Sequence, residues 1–296
     1  MTKQRITEIL QTGKKLVSDG AWGTFLFAKG LKAGDCPDEW SLTHPDDVFD
    51  VAASYIDAGA DMIETNSFGA SSLKLKHFGL ADKAAEINEA AARISRRAAG
   101  DKFVIASIGP TGEMLMMGNV SEEEMYESFK EQAIALEKGG ADAACIETMS
   151  DAEEATLAIR AVKENTGLEV IATFTFERTP MDEYRTMMGL SPTEAAQAAL
   201  DSGADIIGTN CGNGVANMTQ IVKEIHQAFP DAFILVHANA GLPVTDSDGK
   251  QTFPETPEIM ASHIPALVEA GANIIGGCCG TTPEHIRAIR KILNDK

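Results

Sequence analysis

A nine-residue pattern that recurs four times, eight apolar strand-like runs and helical patterns in the gaps between them predict an α/β fold. It is a parallel (β/α)8 TIM barrel, a single domain over residues 1–296. The recurring pattern is Ala58-Gly59-Ala60-Asp61-Met62-Ile63-Glu64-Thr65-Asn66. Its counterparts begin Gly139-Gly140-Ala141-Asp142, Ser202-Gly203-Ala204-Asp205 and Ala270-Gly271-Ala272-Asn273. Each copy reads as a helix end capped by glycine, a turn and then a buried strand. The anchoring glycines stand at 59, 140, 203 and 271, spacings too long for one strand–helix unit and suited to two.

In chain order the strands fall near 16–19, 61–66, 103–108, 142–147, 169–175, 205–210, 233–238 and 273–277. Leu16-Val17-Ser18-Asp19 is the weakest of them. The runs from Phe103, Val170 and Phe233 are near-continuous apolar and β-branched stretches, as parallel strands buried on both faces require. Helical patterns cover 45–58, 81–99, 121–138, 151–164, 191–201, 217–228, 256–269 and 283–294. Ser121 with Glu124 and Ser191 with Glu194 form capping boxes, the second with Pro192 at the first helical position. Thr282-Pro283-Glu284-His285 opens the last helix in the same way. Residues 1–12 add a short helix ended by Gly13. An open doubly wound sheet is the alternative architecture. The long connections 20–44, 176–190 and 241–255 follow strand C-termini, the face on which such barrels carry their sites.

With 44 acidic against 25 basic residues the net charge is −19, and there is no concentrated Lys/Arg run, which excludes a nucleic-acid surface. No stretch approaches membrane-spanning length and Met1–Ile6 lacks the apolar core of a signal peptide, so no membrane partner and a cytoplasmic location are expected. In that compartment Cys36, Cys145, Cys211, Cys278 and Cys279 read as thiols or ligands rather than disulfides.

The densest chemistry is Gly276-Gly277-Cys278-Cys279-Gly280, directly after Asn273-Ile274-Ile275. Neighbouring strand residues face opposite ways, so the glycines are expected to supply the dihedrals that turn both thiols to one point. Cys211 follows the sixth strand, and a barrel brings it to the same face as Cys278 and Cys279. Three thiolates and an open position suit Zn²⁺; a closed structural site would need a fourth protein ligand, and none is evident. Sulfur disfavours Mg²⁺ and Ca²⁺, while Fe²⁺ and Cu⁺ stay open. An all-thiolate site suits the ionisation of a substrate thiol. Asp19-Gly20, Glu64–Asn66, Gly109-Pro110, Glu147-Thr148, Thr175 and Asn239 close the other strands. Cys36 and Cys145 read as small packed hydrophobes and His237 as a packed histidine. Glu64, Glu147 and Asp19 also have structural readings, as ion-pair partners or acceptors of backbone amides. Met187-Met188 read as core or lid filler, and Gly109-Pro110-Thr111-Gly112 as a tight turn rather than a phosphate cradle.

The stretches Asp19-Gly20-Ala21-Trp22-Gly23-Thr24, Glu64-Thr65-Asn66-Ser67-Phe68-Gly69, Glu147-Thr148, Asn210-Cys211, Asn239-Ala240-Gly241-Leu242-Pro243 and Gly276–Pro283 resemble the homocysteine S-methyltransferase family. The resemblance covers essentially the whole chain. It implies a zinc-dependent S-methyltransferase that forms methionine, with zinc on Cys211, Cys278 and Cys279 and homocysteine sulfur as fourth ligand. By the same resemblance Asp19, Gly20, Thr24 and Glu147 hold the amino acid, Glu147 pairing with its ammonium, and Asn239 is a neighbouring polar contact. Two stretches beside the site depart from the family pattern. Gly212-Asn213-Gly214-Val215 stands where methionine-synthase modules carry a small residue, an apolar residue and Gly-Pro, and residues 177–189 are longer and richer in methionine. The sequence carries no folate or corrinoid module, so the methyl donor is expected to be a small molecule or a separate corrinoid protein. The alternative reading reverses the flow: a small methylated substrate is demethylated and its methyl passes to a separate corrinoid protein. A zinc-storing or thiol-sensing scaffold is the non-enzyme reading.

Overall fold

The computed structural model describes residues 4–245 and 251–294, and the expected alternation is present throughout. The barrel strands are β1 (Leu16–Val17), β2 (Met62–Glu64), β3 (Phe103–Ile108), β4 (Ala143–Met149), β5 (Glu169–Phe174), β6 (Ile206–Gly214), β7 (Ile234–Asn239) and β8 (Ile274–Gly277). The helices that follow them are α1 (Pro45–Asp57), α2 (Ala84–Ala99), α3 (Glu122–Gly139), α4 (Ala152–Asn165), α5 (Pro192–Asp201), α6 (Val215–Ala228), α7 (Pro257–Glu269) and α8 (Pro283–Asn294). All sheet pairings are parallel, in the order β1-β8-β7-β6-β5-β4-β3-β2. The two ends meet where Asp61 N–H donates to Val17 O at 2.7 Å. The sheet therefore curls into a (β/α)8 barrel rather than the open doubly wound alternative.

The fourth residue of the recurring pattern explains the recurrence. Asp61, Asp142, Asp205 and Asn273 each stand just before an even-numbered strand. Their side-chain oxygens accept the N–H groups of Val17, Val104, Val170 and Ile234 at 2.8–2.9 Å. Each also donates its own backbone N–H to the carbonyl of that same residue. Every odd strand is thus clamped to its even neighbour at the lower rim. Arg290, Arg96 and Lys163 pair with the three carboxylates. Ahead of them Gly59, Gly140, Gly203 and Gly271 adopt φ of 99–121°, a left-handed cap that a side chain resists.

Inward side chains, among them Leu16, Met62, Ile105, Ile171, Leu235 and Ile274, fill the barrel; the outward ones pack on the helices. Cys145 lies in the inner cluster and Cys36 in a satellite cluster with Ala70 and Leu75, both buried, as expected of packed thiols. The N-terminal helix is Ile6–Leu10, and it plugs the lower end with Ile6 and Leu10. Its first amides converge on the buried Glu169, which accepts Ile6 N–H at 2.6 Å, Thr7 N–H at 3.0 Å and the Thr7 hydroxyl at 2.6 Å. Removing that carboxylate strands three donors. Glu169→Ala is expected to lower stability by roughly 2–4 kcal/mol, read as a drop in urea midpoint. A drop below about 0.5 kcal/mol would show that the plug is energetically idle.

Several boundaries differ from expectation for physical reasons. β6 runs on to Gly214 because the chain regains its pairing with β7 after a register shift between Asn210 and Gly214. α2 begins at Ala84 after a 3-10 turn over Ala81–Lys83, and α6 begins at Val215, two residues early. Both capping boxes form. In the last helix the reciprocal partner is His285, whose Nδ1 accepts Thr282 N–H at 3.1 Å. The long connections carry helices Gly23–Lys29 and Trp40–Thr43, a ribbon pairing Glu177–Arg178 with Tyr184–Arg185, and a ribbon pairing Val244–Thr245 with Gln251–Thr252. Residues 1–3 of the expected N-terminal helix, 246–250 of the third connection and 295–296 lie outside the described residues. Among the described residues no helix is long and apolar enough to cross a membrane.

Candidate active site

The three thiols expected at the mouth are together there: the sulfurs of Cys211, Cys278 and Cys279 all lie within 4.8 Å of one another. The backbone reaches this by a route the sequence did not indicate. The unusual dihedral belongs to Cys211 itself, at φ 58°, within the irregular stretch of β6 before Gly214. Gly276 and Gly277 are not in the left-handed region. They are glycine because neighbours crowd them: a Cβ on Gly277 would stand 2.3 Å from Thr281 Oγ1, and one on Gly276 2.7 Å from Asp19 O. Gly280 alone of the three turns with positive φ, at 81°.

Thr281 braces the double cysteine. Its hydroxyl donates to Cys278 O at 2.7 Å and accepts Ala21 N–H at 3.0 Å. Cys278 N–H donates to Ala238 O at 2.7 Å, and Ala240 N–H to Cys279 O at 3.0 Å, so β7 holds the loop from the other side. Cys278 and Cys279 hydrogen-bond to the Cys211 sulfur, with further help from Gly212 and Asn239, and hold its pKa down to about 3. That donation, with burial, pushes Cys279 up to about 12 and raises Cys278 well above the ordinary thiol range. The cluster thus concentrates negative charge on one sulfur between two others.

These sulfurs line a cavity of about 370 Å³ together with Glu64, Thr24, Ser107, Glu147 and Thr148. Glu147 is fixed from both sides: the Ser107 hydroxyl donates to Oε1, and Asn210 Nδ2 donates to Oε2 at 3.2 Å. Asn210 is oriented in turn by Thr148 N–H at 2.7 Å and the Thr173 hydroxyl at 2.8 Å, both donating to its Oδ1. Burial, with the Glu64 charge nearby, raises the pKa of Glu147 well above the carboxylate range. Glu64 is raised likewise, by burial and by Asp19. Its Oε1 lies 3.4 Å from Nδ1 of the buried His237, whose own pKa burial lowers. His237 and Asn239 are two residues apart on β7 and therefore share the inner face. The site is a buried acidic floor under a thiolate cluster, and a positive charge entering it would be favoured.

The other expected contacts divide. Thr24 and Glu147 are on the cavity wall. Asp19 is buried beside that wall, its Oδ2 accepting Glu64 N–H and Trp22 Nε1–H, both at 2.9 Å. Gly20 leaves room for Tyr55 and Thr281, which a Cβ would meet at 2.8 and 2.7 Å. Asn239 stands behind Cys211 as a hydrogen-bond donor to its sulfur. Met187 and Met188 are exposed rather than packed. The turn after β3 is no phosphate cradle, since Glu154 accepts both the N–H and the hydroxyl of Thr111 at 2.7 Å. Ser107 was not singled out from the sequence, while Asn210 and Thr281 stood there only as members of the Asn210-Cys211 and Gly276–Pro283 stretches, with no role assigned to them.

Fold and site together define a parallel barrel with a thiolate cluster at the C-terminal mouth of its strands. Residues 16–293 match the model of the Homocysteine S-methyltransferase family, and the chain belongs to that family. It is 32% identical over 305 residues to the methionine synthase of Mycobacterium leprae (strain TN), matching 96% of this chain and 25% of that protein. The methionine synthase of Mycobacterium tuberculosis is 32% identical over 294 residues, 93% of this chain and 24% of that protein. The chain therefore spans about a quarter of the length of these relatives. Among solved structures it is similar in fold to the metallated form of the homocysteine methyltransferase MmuM from Escherichia coli, with a TM-score of 0.77, 23% identity and coverage of 96% and 98% of the two chains.

Proposed function

We propose that the chain transfers a methyl group to the sulfur of homocysteine, with a zinc ion held by Cys211, Cys278 and Cys279. The observation that carries this reading is the meeting of three sulfurs on the wall of a cavity at the barrel mouth. The donor set fits the metal. Thiolates about 2.3 Å from a tetrahedral zinc stand about 3.8 Å apart, within the separation seen here, and three of them leave one position for substrate. Bound there, zinc would supply a substrate thiol in its ionised form at neutral pH while leaving the sulfur electron-rich.

The chain's own residues supply position. An amino-acid ammonium against Glu147 would return that carboxyl to its charged form and be held by it, with Ser107 and Asn210 fixing its direction. Thr24 offers a hydroxyl on the same wall, while Asp19 and Gly20 set the wall's shape. Asn239 steadies Cys211. In the transfer the new bond is sulfur to methyl carbon. The bond from that carbon to the donor breaks, and its electron pair leaves with the donor. The thiol proton has already gone to solvent, so no base is needed at the methyl. Alignment of the two reactants is worth roughly 7–11 kcal/mol in a well-oriented site.

Zinc X-ray absorption on the purified protein tests this. On adding homocysteine the sulfur coordination is expected to rise from three to four. A spectrum that ignores homocysteine would reject it as the acceptor. One observation favours the reverse reading, in which a small methylated substrate is demethylated and a separate corrinoid protein takes the methyl. The mouth is rimmed by exposed apolar side chains, Phe68, Met116, Met117, Met181 and Met187 among them, as a docking protein requires. Turnover that needs a cobalamin-binding protein and no homocysteine would select it.

A further inference from the structure

We infer that His285 is a positioning residue for the metal site: through the carbonyl of Glu255 it keeps residues 253–255 seated on the segments that carry Cys211, Asn239 and Cys279. The inference rests on the reading that Cys211, Cys278 and Cys279 hold zinc, and concerns what keeps them in place.

His285 stands in the first turn of α8 and is buried. Its two ring nitrogens serve different segments. Nδ1 accepts Thr282 N–H at 3.1 Å, and a backbone amide can only donate, so the ring proton is on Nε2. Nε2–H therefore donates to Glu255 O, 3.0 Å away and 30 residues earlier in the chain. The other side of Glu255 is tied as well. Its N–H donates to Ala240 O at 3.0 Å, and Ala240 N–H donates to Cys279 O at 3.0 Å. His285, Glu255, Ala240 and Cys279 thus form a chain of three hydrogen bonds, closed into a ring by the short stretch from Cys279 to His285.

Residues 253–255 lie on three glycines. A Cβ on Gly280 would stand 2.3 Å from Phe253, one on Gly241 2.9 Å from Glu255 Cγ, and one on Gly214 3.0 Å from Glu255 Oε1. Those glycines follow Cys279, Asn239 and Cys211 in their own segments. The short stretch therefore fills the seam between the ends of β6, β7 and β8. Its seat is not self-sustaining. Glu255 Oε2 is buried there with no hydrogen-bond partner among the described residues, a cost that opening to water would relieve. The two backbone bonds of Glu255 and the packing of Phe253 oppose that release. Without Nε2–H the segment opens in a fraction of molecules. Zinc needs the three sulfurs together, so its apparent affinity falls in proportion to the fraction still seated. By reciprocity, bound zinc holds the segment shut.

His285→Asn is the selective variant. Its Oδ1 takes the place of Nδ1 and keeps the bond from Thr282 N–H, while nothing replaces Nε2. Zinc affinity of the full chain is read by competition with a chromophoric chelator, and exchange of the Ala240 and Glu255 amides by NMR. His285→Asn is expected to weaken zinc about 5- to 20-fold, as loss of one buried hydrogen bond does, and to speed exchange of both amides in the zinc-loaded protein. Phe253→Ala is expected to weaken zinc too, and the double variant by less than the product of the two, because both release the same segment. Ser191→Ala is the control for a merely structural role. It removes the N-cap of α5, so it should lower the urea midpoint and leave zinc affinity within twofold. Zinc affinity within twofold of the wild type in His285→Asn would overturn the assignment. So would a fully multiplicative double variant, or equal weakening by Ser191→Ala. If His285→Asn does not fold, His285→Glu, an ordinary capping-box residue that offers no donor, is judged by the same limits. A wild type that takes up no zinc would instead reject the zinc reading itself, before any variant is compared.

Discussion

Cys278→Ala is expected to empty the metal site and reduce methyl transfer by at least about 10³-fold, since both thiol ionisation and reactant alignment are lost. The sulfur removed is one of three within 4.8 Å of each other, and none of the described side chains around it offers a replacement thiol. The fold should survive. The backbone bonds from Cys278 N–H to Ala238 O and from Thr281 to Cys278 O do not involve the sulfur, and the side chain is only partly buried. Zinc content by atomic absorption, transfer rate and far-UV circular dichroism together read the outcome. Cys145→Ala is the control: that thiol lies in the barrel interior, so the variant should lose stability and keep its zinc. Transfer by Cys278→Ala protein without metal would end the zinc reading.

Gly208→Ala is expected to cost at least about 3 kcal/mol and to weaken zinc binding with it. A Cβ at this position on β6 would stand 1.9 Å from Leu235 O and 2.8 Å from its carbonyl carbon. Those are backbone atoms of the neighbouring strand, which no rotamer change can move. The pair Gly208–Leu235 is part of the β6–β7 ladder, and Asn210 and Cys211 follow within three residues. Spreading the ladder would carry the Glu147–Asn210 contact and the first thiol out of position. A urea midpoint indistinguishable from the parent's would show that β7 yields here at little cost.

Much of this molecule could be read along the chain. The glycine-capped repeat and the apolar runs located all eight strands, because both signals are local and each even strand is announced by the same turn. The shared face of Cys211, Cys278 and Cys279 followed from topology alone, since every parallel strand in a barrel delivers its C-terminal residue to one rim. The purpose of the repeat's aspartates was not readable. Asp61 serves Val17 and Asp205 serves Val170, and nothing in the local pattern of an aspartate names a strand 44 or 35 residues upstream.

The barrel, the thiol cluster and the family were legible along the chain, because these rest on periodicity, on order along the chain and on a motif. How the site is held came from the folded molecule alone. It assigned the strained φ to Cys211 rather than to Gly276 or Gly277, set Asp19 to brace Trp22 and the Glu64 amide, and aimed Glu147 through Ser107 and Asn210. Each of these depends on distances between segments tens to hundreds of residues apart. Such distances arise only when the sheet closes and the loops pack on its rim.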